Sequence, residues 1–246
     1  MAFDRAIAAQ TVQDREAAQD RFAGGDQCTA LYGAIWMRVA HAPNDFPPYQ
    51  TVYYWFRRLM RRMLFRTIHD LALMLDRLCN EREVMPSAGV VDSQSVKAPG
   101  ARTRGYDANK KINGRKRHVA VDTDGRLLAM NLTPADVADS TGAQMVLDGL
   151  VQRWPWIKHL FGDAAYDRRQ LIDKAAFLDF TMEIVRCLQG QQGFAVQPRR
   201  WVVERTFAWL MRYRRLVRNY EQRIDVSSNM IYLTMGSLLL HRLHFR

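Results

Sequence analysis

Apolar positions fall into two regimes along the chain. Val52, Trp55, Phe56 and Leu59, then Ile68, Leu71, Leu75 and Leu78, recur three and four residues apart, the spacing that lines one face of a helix. Two helices are predicted after Pro47-Pro48. From Pro86 the period shortens, and residues 89–93, 118–122 and 127–132 read as strands, the last two joined by Asp124-Gly125 as a tight hairpin. A helix from about Ser140 carries Ala143, Val146, Leu147, Leu150 and Val151 and stops at Trp154-Pro155. A fourth strand, residues 157–161, runs into Gly162-Asp163. Another helix near Asp167 presents Leu171, Ile172, Ala175 and Leu178, and a fifth strand covers 180–185. A long helix over 199–217 and a mostly apolar one over 227–243 complete the pattern.

Hairpin-linked strands first and α/β alternation afterwards describe an α/β protein, a mixed sheet flanked by helices. The order βββαβαβα is that of the ribonuclease H-like fold. No internal repeat is present, so the domains follow from punctuation. Residues 1–45, with the Gly24-Gly25 break and weak helical patterning, form an atypical N-terminal segment. Residues 46–84 are expected to be a helical DNA-binding region, and 85–246 the ribonuclease H-like catalytic domain.

Charge narrows the partners. The 246 residues carry 36 Lys and Arg against 25 Asp and Glu, a net charge of +11, and such a field attracts polyanions. Nucleic acid is the expected partner. Arg57, Arg58, Arg61, Arg62 and Arg66 lie between the apolar positions of the first two helices without a compensating acid; they form either a solvated face or a phosphate-contacting one. Residues 97–118 concentrate Lys97, Arg102, Arg104, Lys110, Lys111, Arg115, Lys116 and Arg117 against Asp107, read as a phosphate-tracking loop. Cys28, Cys79 and Cys187 are odd in number and far apart, which excludes a disulfide framework or a zinc finger and suits a reducing compartment. The longest apolar stretch, residues 230–240, is too short to span a bilayer. A cytoplasmic, nucleoid-associated protein is expected.

Three carboxylates attract attention. Asp92 sits in an otherwise apolar strand, Asp163 ends the fourth strand, and Glu204 lies among Val202, Val203, Phe207 and Leu210. In this order of elements all three converge at one sheet edge. Ionised groups among buried-type residues are costly unless paired or bound to a cation. Three such groups suit two Mg²⁺ or Mn²⁺ ions and phosphoryl transfer. Taken singly, each acid is as readily a helix cap or a solvated group. Asp122 and Asp124 are explained by the hairpin turn, His118 by a structural hydrogen bond, and Asp167 by capping the helix that it precedes.

The wording around these residues is specific. Residues 45–58 (Asp-Phe-Pro-Pro-Tyr-Gln-Thr-Val-Tyr-Tyr-Trp-Phe-Arg-Arg), 91–97 (Val-Asp-Ser-Gln-Ser-Val-Lys), 105–118, 162–167 (Gly-Asp-Ala-Ala-Tyr-Asp) and 199–210 (Arg-Arg-Trp-Val-Val-Glu-Arg-Thr-Phe-Ala-Trp-Leu) closely resemble the bacterial DDE transposases of the insertion-sequence-five family. The resemblance implies cut-and-paste transposition, with strand cleavage and strand transfer at insertion-sequence ends. It implies a metal-binding triad of Asp92, Asp163 and Glu204, with Arg200 four residues before the Glu reaching the reacting phosphate. Gln197 and Met211 stand where the family has Tyr and Lys. Double-stranded DNA is the implied partner, held by Arg57, Arg58, Lys97, Lys110, Lys111, Arg115, Lys116, Arg117, Arg205 and Arg212, and pairing of two ends implies a homodimer or higher. Residues 1–45 depart from the family's DNA-binding start and are expected to be degraded. The alternative is therefore a DNA-binding relic that regulates transposition without cutting. Trp201, beside the triad, is the tryptophan that could stack on a base; the others are expected in the core.

Overall fold

The computed structural model describes residues 47–186 and 200–244, so the readings of residues 1–45 and of Gln197 lie outside the described residues. The chain divides into two compact units, Met1–Arg62 and Met63–Arg246. The described part of the first is α1 (Tyr49–Arg61), which buries Val52, Phe56 and Met60. Its exposed side carries Tyr53, Tyr54, Arg58, Arg61 and Arg62, with the Arg58 guanidinium 5.0 Å above the Trp55 ring.

The second unit opens with Met63 in the left-handed region (φ 57°), followed by α2 (Leu64–Cys79). Its sheet contains β1 (Ala88–Lys97), β2 (Gly105–Asp107), β3 (Ile112–Asp122), β4 (Leu127–Pro134), β5 (His159–Gly162) and β6 (Thr181–Ile184). β1 and β4 pair antiparallel with β3, whereas β5 pairs parallel with β1, and β6 with β5. Leaving aside the short β2, the order β4-β3-β1-β5-β6 is the ribonuclease H-like topology read from the sequence. The helices are α3 (Asp139–Arg153), α4 (Arg169–Phe177), α5 (Trp201–Met211), α6 (Arg214–Val217) and α7 (Ile224–His244). Among the described residues no helix is long and apolar enough to cross a membrane.

The turn between β3 and β4 shows why the sequence folds as it does. Asp122 Oδ1 accepts the backbone N–H groups of Asp124 and Arg126, and Gly125 adopts φ +82°, a conformation open to glycine at little cost. One face of α3, with Ala143, Val146, Leu147 and Leu150, packs on Val91, Ala120, Leu128 and Leu160 of the sheet. Trp154 ends that helix and donates its indole N–H to the Leu128 carbonyl at 3.0 Å.

Four expectations need correction, the first being the single helix over 199–217, which is two, α5 and α6, parted where Tyr213 turns extended. Residues 97–118 are not a loop, because β1 runs on to Lys97 and pairs with β3 through Gly114, while β2 adds a third short strand. Asp167 does not cap α4: Arg168 occupies the N-cap without a side-chain bond, and Asp167 pairs with Arg186. In α2, the stripe that the spacing marked is exposed, with Ile68, Leu71, Leu75 and Leu78 at 38–55%. The face carrying Phe65, His69, Ala72 and Leu73 is buried instead, against α7. Polar bonds select that face: His69 packs edge-on to Tyr232, and Arg153 of α3 binds both Asp70 and the Tyr232 hydroxyl.

A buried ion network joins α2 to the hairpin. Arg126 reaches Asp76 at 2.6 Å and Asp122 at 3.2 Å, and Arg77 reaches Asp122 at 2.5 Å. Removing one member strands the others, so Arg126→Met is expected to lower stability by about 3–5 kcal/mol, measured by urea denaturation. A loss below about 1 kcal/mol would show that water replaces the guanidinium.

His118 lies wholly buried between Thr133, whose hydroxyl is 2.9 Å from Nε2, and Gly142, where a Cβ would stand 2.1 Å from that nitrogen. Burial pushes its pKa down to about 4. The unfolded chain therefore binds this proton first as pH falls below about 6.5, and up to about 3 kcal/mol of stability is lost between there and pH 4. Thermal melts are expected to show Tm falling over this range, with the fall reduced in His118→Gln.

Candidate active site

Asp92 lies at the fifth position of β1, and β5 runs parallel beside that strand with Val90 opposite Phe161. Continuing this register by two residues brings Asp92 level with Asp163, the first residue past β5. Asp163 turns the chain there: its Oδ1 accepts the Ala165 N–H at 2.9 Å and caps the 3-10 turn Ala164–Tyr166. Asp92 Oδ1 accepts the Ser93 N–H at 2.7 Å.

The two acids feel each other. Burial, with the Asp163 charge added to it, pushes Asp92 up to about 6, although Ser93, Arg200 and Lys110 pull the other way. Arg200, the N-cap of α5, places Nη2 3.5 Å from Asp163 Oδ2. Lys110 comes from the turn between β2 and β3. That turn is anchored by Asp107 Oδ1, which accepts the N–H groups of Asn109 and Lys110. Lys110 thus belongs beside the acids for a reason that net charge alone could not disclose.

Glu204 is placed differently. It is exposed on the first turn of α5, whose buried residues Val202, Val203, Thr206, Phe207 and Leu210 pack that helix on β1 and β3. Four residues after Arg200, it shares that residue's side of the helix. Among the described residues no three His, Cys, Asp or Glu side chains form a ready metal-holding group. The structure thus brings Asp92, Asp163 and Arg200 together and sets Glu204 on the helix that starts beside them.

The basic residues separate sharply. Arg115, Lys116 and Arg117, expected on DNA, are buried, because β3 alternates them between two packed faces. Arg115 holds the carbonyls of Thr103, Glu221 and Gln222 and the Asn219 side chain. Arg117 donates to Gln94 Oε1 at 3.1 Å and to Leu216 O at 2.6 Å, and burial lowers its pKa to about 10. On the other face, Lys116 binds Asp139 at 3.0 Å. Arg205 is likewise engaged, stacked 4.3 Å from Trp201 and 4.9 Å from Trp209 while donating to Asp124 O. Lys97, Lys110, Lys111 and Arg212 are exposed in this unit and Arg58 in the other, whereas Arg57 is half-buried. Of the tryptophans, Trp154 is in the core, but Trp156 is 64% and Trp201 42% exposed.

Asp92 within β1 and Asp163 just past its parallel neighbour β5, the latter faced by Arg200, make an acid pair in a ribonuclease H-like sheet. A family model described as Transposase DDE domain matches residues 84–239, and the chain belongs to that family. A putative transposase for insertion sequence element IS402 from Burkholderia cepacia is 29% identical over 163 residues, covering 61% of this chain and 72% of that protein. Among solved structures, the catalytic core domain of BIV integrase is similar at 15% identity with a TM-score of 0.38, covering 65% of this chain and 97% of that one. A chain from the cryo-electron microscopy structure of the simian T-cell lymphotropic virus intasome with PP2A regulatory subunit B56 gamma is 17% identical with a TM-score of 0.40. That match covers 59% of this chain and 48% of the intasome chain, about half its length.

The Asp92 shift has a sign that can be measured. A folded-state pKa of about 6 against about 3.9 unfolded means that the native state holds this proton more tightly, so stability falls as pH rises through that window. Above it, ionised Asp92 costs up to about 3 kcal/mol. Asp92→Asn in chelator is expected to raise Tm by several degrees at pH 8 and to have little effect at pH 4. Equal changes at both pH values would rule out charge burial as the cause.

Proposed function

We propose that the chain is a DDE transposase that cleaves DNA strands at insertion-sequence ends and joins the freed 3′ ends to target DNA. The convergence of Asp92 and Asp163 supports this reading most directly. Two carboxylates held together at the cost of a raised proton affinity form a hard-oxygen site that a divalent cation relieves. The donor set thus fits Mg²⁺ or Mn²⁺, with Asp92 and Asp163 as ligands and Glu204 joining from α5. When bound, one or two such ions activate the attacking oxygen and stabilise the leaving oxygen of a phosphodiester.

The chain's own residues do the rest. Arg200 presents a guanidinium, whose planar fork suits a phosphate, at the edge of the acid pair. Lys110 adds a second cation from the turn between β2 and β3. Lys97, Lys110 and Lys111, with Arg102 and Arg104, form an exposed basic rim that follows the DNA backbone, and Arg212 adds charge on the α5 side. In the N-terminal unit, Arg57 and Arg58 with Arg61 and Arg62 give α1 a phosphate-contacting face of its own. Pairing of two ends calls for at least two copies of the chain.

The second reading is a DNA-binding regulator without cleavage. Exposure of Glu204, apart from any three-acid group among the described residues, favours it. Cleavage of labelled duplexes carrying the inverted repeats that flank the gene, with Mg²⁺ or Mn²⁺, separates the two. Cutting by the wild type is expected, with cutting abolished in Asp92→Asn, Asp163→Asn and Glu204→Gln while DNA affinity holds. Intact cutting by any one variant removes that residue from the site, and an inactive wild type favours the regulator. Lys110→Ala with Lys111→Ala is expected to flatten the slope of log affinity against log salt by roughly 0.9 per lost phosphate contact.

A further inference from the structure

The outward side of α2 carries no charge. Leu64, Ile68, Leu71, Leu75 and Leu78 recur there at intervals of four, three, four and three residues and are 37–55% exposed. Thr67, Met74 and Cys79 beside them are uncharged as well, and the Thr67 hydroxyl is satisfied within the helix by the Met63 carbonyl at 3.1 Å. The charged residues of α2 turn elsewhere. Asp76 and Arg77 are buried in the hairpin network, while Asp70 and Arg66 turn toward Arg153 and Tyr232. Roughly half of the helix circumference thus meets water without a charged side chain, although a surface helix ordinarily sets its charges on that side.

The spacing defines the shape of partner that fits. Intervals averaging 3.5 residues keep an apolar stripe running straight along a helix, so it meets a second helix over its whole length with their side chains interlocked. α2 offers 16 residues, roughly 24 Å of such contact. It is already backed by α7, so pairing orders no new element. Leu71 is the middle residue of the stripe and stands opposite its own counterpart whether two copies run parallel or antiparallel. The stripe is therefore its own complement, as an interface on a two-fold axis requires.

Charge narrows the occupant further. A DNA backbone or an acidic protein would find no cation here. Two copies of this chain, each with a net charge of +11, repel wherever their basic surfaces meet, and an uncharged face is where they approach at least cost. α1 brings no matching stripe, since its Val52, Phe56 and Met60 are buried already.

We infer that α2 is a self-association surface: the stripe of one copy packs on the same stripe of a second, with α7 behind each. The inference rests on the pairing of two copies proposed above, and it gives that pairing a surface made of residues that neither the acid pair nor the basic rim uses.

Sedimentation velocity on the full chain, free and with end DNA, tests it. The wild type is expected to form dimers, and added NaCl to hold or tighten them, because repulsion between two positive chains is screened. Leu71→Glu and Leu71→Lys each set like charges across the axis and are expected to weaken self-association more than about 100-fold, with circular dichroism and Tm near those of the wild type. An equimolar mixture of the two variants is expected to restore the dimer, since Glu then meets Lys. Variants that dimerise as the wild type does would overturn the inference and leave the pairing of copies to another surface. A wild type that stays monomeric, free and on end DNA, would overturn the pairing itself. Variants that unfold, or that stay monomeric when mixed, would assign the stripe to a segment of its own chain or to another protein, and dimers that dissociate in salt would assign the contact to ion pairs; each result overturns the inference.

Discussion

Alternation of side chains along β3 sends polar and charged groups to both faces of the sheet, and each is bonded to a different part of the chain. Arg115 and Arg117 point one way and bind carbonyls of residues 216–222. Lys116 and His118 point the other way, Lys116 to Asp139 and His118 to Thr133 against the Gly142 turn of α3. The strand therefore sets the position of the C-terminal helices on one side and of α3 on the other. Both settings matter to the acid pair, since Arg200 enters with the C-terminal segment and Ser93 is bonded to the first residue of α3. Burial of Arg115, Lys116 and Arg117 is tolerable because each donates to at least two acceptors, and losing one acceptor removes only part of the compensation.

The acid pair itself depends on strand direction. β1 and β5 are parallel neighbours, so the residues just beyond matched positions end at the same edge, where ligand sites of open α/β sheets commonly lie. Asp163 serves two purposes there, because one oxygen caps the following turn and the other faces Arg200. A carboxylate tied down by its own backbone is a better-defined ligand than one free to rotate, and its rigidity is what lets its charge act steadily on Asp92.

Much of this was legible in the sequence. Alternating apolar residues and the Asp-Gly turn marked the β3–β4 hairpin, and the order of elements implied the topology that juxtaposes Asp92 and Asp163. The basic run at 110–117 was misleading because composition carries no register. Whether Arg115 meets DNA or a carbonyl is decided by a segment whose nearest contact is 104 residues away. The α2 stripe misled for a related reason: Ile68, Leu71, Leu75 and Leu78 have the better apolar periodicity, but His69, Asp76 and Arg77 have buried partners on α7 and the hairpin. Polar bonds between distant segments outweigh a local pattern of leucines. Tyr166 stood in a recognisable block, yet its burial depends on a three-residue turn that no periodicity announces.

The pairing of α2 with α7 joins residues 64–79 to residues 224–244, the opposite ends of the sheet-bearing unit. During synthesis the sheet strands emerge long before the helix that covers Phe65, His69 and Leu73. At roughly 5–20 residues per second, about 145 further residues separate the end of α2 from the start of α7, which amounts to roughly 7–30 s of exposure for that face. Newly made copies thus spend seconds with that face of α2 uncovered, open to chaperones and to one another, and reach the closed unit only when α7 has left the ribosome.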